Sequence, residues 1–234
     1  MTVCVAALAD NGKKIVIATD NMATIAIGQT IQYQREDKDS KKLFQLNENV
    51  YALTAGALHV INPVIKKAKE EIKTHTTPTK CATIIRESLE KFYLQKTEEE
   101  LLKRYNIDWD FYRNKQALLG EEVRKDLFNK INNWNLDINI IVVGYDSSNK
   151  ECYLGVVLAN GYLMDKSLEN FVTNGSGGEL AKFSLILSDY NKSMTVEQVE
   201  ELVRKAIKDA KKSPGVGDLS ELKVIPEENG ERNQ

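Results

Sequence analysis

The hydrophobic period of this chain switches from two residues to nearly four at Ala57, returns to two near residue 137, and switches again near Gly178. A period of two lines one face of a strand, and a period near 3.6 lines one face of a helix. Residues 2–9 and 15–20 ("IVIATD") read as a strand pair around the turn "DNGKK". Residues 23–34 read as further strand interrupted by Gly28, "REDKDS" as a loop over 35–40, and 41–46 and 49–55 as two more strands. Helical spacing then runs from Ala57 to about Lys73 through Leu58, Ile61, Val64 and Ile65, and from about Lys80 to Lys96 through Ala82, Ile85, Leu89 and Phe92. Strands return at 137–146 and 151–162, followed by a helix over about 178–189 and a long helix behind the capping signature of Thr195 with Glu197 and Gln198. "SELKVI" supplies a last strand. Two sheets with helices outside both would bury this pattern, which predicts an α/β (α+β) protein of four layers, α/β/β/α.

Residues 97–135 differ in texture, being highly charged with apolar and aromatic residues at loose helical spacing. They read as a helical insertion in one domain over 1–226, packed on its own domain or covering a partner. Residues 227–234 read as a polar, disordered tail.

At 234 residues the chain is long enough to bury a core without metals or disulfides. A net charge of −2, with both signs interspersed, argues against a nucleic-acid partner. Cys4, Cys81 and Cys152 are scattered without pairing spacing, which reads as reduced thiols in a cytosolic protein. The two histidines, His59 and His75, leave little material for a zinc site or a Ser-His-Asp triad, so neither metal nor cofactor is expected. No window approaches ~18 uninterrupted apolar residues, and the first residues lack a signal-peptide pattern, so no membrane partner is expected.

Chemistry can be built at the first strand instead. If Met1 is removed, Thr2 carries a hydroxyl and a free α-amine on one residue. The hydroxyl needs a base to take its proton, and an α-amine titrating near 7.7–8.0 is suited to that task. Nucleophile and base then come from a single residue, and no histidine is required.

The segments "IVIATDNMAT", "SKKLFQL", "LTAGA" and "NGSGGELA", in this order behind a Met-Thr start, resemble those of proteasome β-type subunits and their bacterial relatives, the N-terminal-nucleophile hydrolases. The resemblance covers most of 2–96 and 137–225. It implies the four-layer sandwich of that family, a peptide or protein substrate, a homo-oligomeric ring or related assembly, and no cofactor. Residue by residue, it implies Thr2 as nucleophile, Lys42 as the lysine whose charge favours deprotonated Thr2, and Asp20 as that lysine's carboxylate partner. Gly56 matches the backbone N–H donor to the oxyanion, and Ser176 the serine that bonds the terminal amine. Thr24 and Gly56 match the strand edges that hold a substrate peptide. Thr54 matches the base of the specificity pocket, with Ala23 and Leu58 on its walls.

Some positions depart from the pattern. In "KKSPGVGDL", Ser213 stands where the family carries an aspartate and Val216 where it carries a serine, although Gly217 remains. Met22 stands where many members have arginine, and the 97–135 insertion has no counterpart in a standard subunit. Thus three functions stay open at this point. They are a threonine-type peptidase, a transpeptidase or ligase using the same acyl-enzyme (as in the methanogen connectases), and a non-catalytic subunit that retains Met1. A small-molecule amidase is a weaker fourth.

Overall fold

The computed structural model describes residues 2–27, 31–36 and 41–226, with backbone alone for 23–27 and 31–36. The expected interruption at Gly28, most of the expected 35–40 loop, Met1 and the 227–234 tail lie outside the described residues. The fold is mixed α+β, with two antiparallel sheets, a two-stranded ribbon and six helices among the described residues.

The first sheet has the order β10-β1-β2-β11, formed by Phe171–Asn174, Cys4–Ala9, Lys14–Asp20 and Leu219–Ile225. The second has the order β5-β6-β7-β8-β9, formed by Leu43–Asn47, Val50–Gly56, Ile138–Asp146, Glu151–Leu158 and Leu163–Asp165. Residues 23–34, read as one interrupted strand, are a hairpin of β3 (Met22–Ile27) and β4 (Ile31–Glu36), so Arg35 and Glu36 belong to a strand rather than to the expected loop. Five strands follow residue 135, where three were expected; β9 and β10 are the additions.

Three cores explain the sequence periods. Between the sheets lie Cys4, Ala6, Leu8, Ile15 and Ile17 from one side and Tyr51, Leu53, Ile141, Val143 and Leu154 from the other. Val3, just ahead of β1, and the alternate residues Val5 and Ala7 point the opposite way, against α5 (Gly178–Leu187) and α6 (Val196–Ala210). A strand buried on both faces cannot afford polar alternation, which is why "VCVAALA" is apolar throughout. The outer face of the second sheet packs Ala52, Ile140 and Val142 against α1 (Leu58–Glu71) and α2 (Pro78–Glu100). The capping box before α6 forms as its sequence predicts: Gln198 N–H donates to Thr195, and Gln198 answers the Thr195 backbone N–H.

The 97–135 region is helical, as expected. α2 runs four residues into it, and α3 (Trp109–Asn114) and α4 (Glu121–Asn132) follow. It has its own small core of Leu102, Ile107 and Leu127, flanked by Tyr105, Trp109 and Val123. Trp109 is anchored to α2, its indole N–H donating to the Leu94 carbonyl at 2.8 Å.

Candidate functional site

Four segments distant in sequence meet at the start of β1. The β1–β2 pairing sets Cys4 opposite Thr19, and the Asp20 N–H donates to the Val3 carbonyl at 3.3 Å. Asp20, closing β2, therefore lies beside Val3, one residue from Thr2. Lys42 precedes β5 and lies opposite Thr54 of β6, whose N–H donates to the Lys42 carbonyl at 2.9 Å. On the other side, β10 leaves β1 at Asn174, and the glycine turn that follows folds over Thr2. The Gly177 N–H donates to the Thr2 carbonyl at 3.1 Å, and the Thr2 N–H donates to Ser176 Oγ at 3.3 Å.

Asp20 is the hub of this arrangement. Its Oδ1 accepts from Lys42 Nζ at 2.7 Å and from the Val3 N–H at 2.9 Å. Its Oδ2 accepts from the N–H groups of Gly217 at 2.9 Å and Met22 at 3.2 Å. The ion pair is buried, with side-chain exposures of 5% for Lys42 and 0% for Asp20. Buried charges persist only when paired and fully hydrogen-bonded, and four donors on two carboxylate oxygens meet that demand. The structure thus brings together Thr2, Asp20, Lys42 and Ser176. Thr2 is itself buried, at 6% exposure.

Gly56 closes β6 with φ near +120°, and a Cβ there would lie 2.0 Å from the Asp137 carbonyl oxygen, so only glycine fits. It is exposed, unlike the rest of β6. Thr54 is buried; its hydroxyl donates to the Lys42 carbonyl at 3.2 Å, beside its own N–H bond to the same oxygen. That places the Thr54 side chain on the lysine's backbone. Leu58 is half-buried at the first position of α1, against the helix-side core. Thr24 lies opposite Gln34 in the β3–β4 ribbon; the side chains of Ala23 and Thr24 lie outside the described residues. Val216 is buried against the α6 core, and the Ser213 carbonyl accepts its N–H at 3.3 Å.

One contributor was not singled out from sequence, and another was named only as a retained position of the family pattern, with no contact assigned to it. Gly175 has φ near +88°, and a Cβ there would lie 2.2 Å from the Thr2 carbonyl oxygen. The backbone N–H of Gly217 reaches Asp20 across 197 residues of chain. The signal available for Gly175 was its place in "NGSGG"; Gly217 was marked by the resemblance, but nothing local foretold its bond to Asp20.

Cys4 lies next to this site, its Sγ donating to the Thr54 carbonyl at 3.5 Å. Burial pushes its thiol up to about 12, outweighing the nearby Lys42 charge. Burial does the same to Cys81 and Cys152, each pushed up to about 12. A thiol with that pKa is roughly one part in 10⁴ thiolate at pH 8, so iodoacetamide should leave all three unmodified in the folded protein and label them in urea. The same shifts carry a sign for stability. Above pH 9 the unfolded thiols release protons that the folded ones keep, so stability should fall as pH rises from about 9 towards 12. Urea midpoints across that range, with a Cys-free variant as reference, check it.

Among the described residues no group of three or more His, Cys, Asp or Glu side chains could hold a metal ion. No helix among them is long and apolar enough to cross a membrane. A scan against protein-family models returned no match, and neither did a search of curated proteins.

Proposed function

We propose that this chain is a threonine-type peptidase related to proteasome β-type subunits, with Thr2 as its nucleophile once Met1 is removed. The observation that carries the reading is the buried Lys42–Asp20 pair, whose carboxylate also binds the N–H of the residue following Thr2. That ties a fixed positive charge to the end of β1. The two sheets sharing one core, with helices on their outer faces, support the four-layer sandwich that the resemblance implies.

In the proposed reaction, Thr2 Oγ bonds to the carbonyl carbon of a peptide and its hydroxyl proton passes to the α-amine. Lys42 favours the deprotonated hydroxyl electrostatically. The Gly56 N–H stabilises the oxyanion, a donor whose loss typically costs about 10²–10³ in rate. Ser176 orients the amine. The C–N bond then breaks, the leaving amine takes the proton back from the α-ammonium, and an ester remains on Thr2. Water, deprotonated by the same amine, releases the acid product. A peptide amine in place of water would give a ligated product through the same ester.

Intact mass before and after an epoxyketone tests the assignment. The expected result is loss of Met1 and one adduct localised to Thr2, with Thr2→Ala removing the adduct and lowering peptide hydrolysis by more than about 10³-fold. A chain that loses Met1 yet resists the probe would favour the non-catalytic reading, for which the apolar Val216 is the supporting observation. Product masses with and without an added peptide amine separate hydrolysis from ligation.

A further inference from the structure

Asn174 closes β10, opposite Cys4 of β1, and the glycine turn over Thr2 begins at the next residue. Its half-buried side chain makes hydrogen bonds of opposite sense. Oδ1 accepts from the Gly175 N–H at 2.7 Å, and Nδ2 donates to the Asn139 carbonyl at 3.1 Å. The first bond holds the entry of the turn whose following residues, Ser176 and Gly177, bond Thr2. The second crosses to the other sheet. Asn139 lies on β7, opposite Ala55 of β6 and next to the Ile138–Gly56 pair. One amide therefore spans from the turn that holds Thr2 to the strand pair that carries the Gly56 N–H.

Between the sheets the packing is apolar. Apolar burial is non-directional, so it sets how far apart the sheets lie more firmly than how they are offset. Hydrogen bonds weaken steeply with angle and so fix the offset. The Lys42–Asp20 pair ties the entry of β5 to the end of β2, on one flank of β1. The Asn174–Asn139 bond ties β10 to β7 on the other flank. A tie on one flank alone leaves a pivot, and ties on both remove it. We propose that Asn174 is a positioning residue that sets the distance between Thr2 and the Gly56 N–H. The inference rests on the reaction proposed for Thr2. The role calls for an amide, which offers donor and acceptor together, where an ionised aspartate of the same shape offers acceptors alone.

The test is epoxyketone labelling of Thr2, split into the rate constant of the bound complex and the half-saturating concentration, at a temperature where circular dichroism shows each variant folded. Asn174→Ala should lower the rate constant at least about tenfold, because a misplacement near 1 Å can cost about 10²-fold. Half-saturation should stay within about twofold, since the loss falls on the chemical step. Asn174→Asp keeps the acceptor for Gly175 but not the donor for Asn139, and should label as slowly as the alanine variant. Each rate is read on the plateau of its own pH profile, so that the new carboxylate's pull on the Thr2 amine drops out. Equal rate constants for wild type and the alanine variant, an aspartate variant that labels like wild type, or a loss confined to half-saturation would each overturn the proposal. The bond itself is read without any variant: one side-chain amide proton of Asn174 should exchange slowly in the wild type, and free exchange would overturn the brace. A wild type that resists the probe while that proton exchanges slowly would instead overturn the reading of Thr2, and this role with it, which tells the two failures apart.

Discussion

Replacing Asp20 by Asn should cost about 3–5 kcal/mol of stability and abolish turnover together. Each carboxylate oxygen accepts two donors: Lys42 Nζ and the Val3 N–H on one, the Gly217 and Met22 N–H groups on the other. An asparagine amide has one oxygen. Whichever way it turns, its NH₂ faces two donors, and the Lys42 ammonium is left buried without a counter-charge. Breaking a buried pair in this way costs about 3–5 kcal/mol, a large share of the 5–15 kcal/mol that holds a typical domain together. Lys42→Met should cost less, because the carboxylate keeps three backbone donors. Adding Lys42→Met to Asp20→Asn should recover part of the loss by removing the stranded charge. Urea unfolding of the three variants reads the comparison, and an Asp20→Asn protein as stable as wild type would show that the pair does not hold this site together.

The second large effect is expected at Gly175. Alanine there must adopt a positive φ, costing about 1–2 kcal/mol, and its methyl meets the Thr2 carbonyl oxygen at 2.2 Å and the Thr2 Cβ at 3.3 Å. The contact is relieved only by moving Thr2, and a misplacement near 1 Å can cost about 10²-fold in rate. Gly175→Ala should therefore slow epoxyketone labelling at least about 100-fold while the protein stays folded. Gly178→Ala is the control. A Cβ there comes no closer than 3.6 Å to any other segment, and alanine suits the first turn of α5, so it should be near neutral in both rate and melting midpoint. Equal labelling rates for the two variants would show that the turn does not set the position of Thr2.

How much of this could be read from the chain depended on how local each feature is. Four of the six helices and most strands follow from period and caps, while 97–135 was legible only as helical, without the bounds of α3 and α4. α2 begins at Pro78 rather than near Lys80 because Thr77 caps it with proline in the first turn, and it runs past Lys96 because "TEEE" keeps helical propensity after the apolar stripe fades. β10 was not legible: four residues, "FVTN", carry too little alternation, and the strand exists by pairing with β1. Residues 23–34 were read as one strand and 35–40 as a loop; the reversal between β3 and β4, and the run of β4 through Glu36, were not read. At the site, Asp20, Lys42, Thr2 and Ser176 came from resemblance and lie together. Thr54, expected as the base of a pocket, directs both its donors to the Lys42 carbonyl, a contact that the sequence did not foretell. The Gly217 contact depends on how β11 docks beside β2, with a register shift between Leu219 and Glu221, and no short stretch of sequence encodes that.

The helical lobe also has an architectural consequence. Tyr93 of α2 donates its hydroxyl to the carbonyls of Ile131 at 3.4 Å and Trp134 at 3.5 Å. The chain therefore departs for its excursion and comes home within the reach of one side chain. An excursion with such a narrow neck is a cassette: it can lengthen, shrink or be exchanged with little change in the cost of closing its ends. The sheets that position Thr2, Asp20 and Lys42 have no strand inside it, so what the lobe touches can change while the site keeps its form.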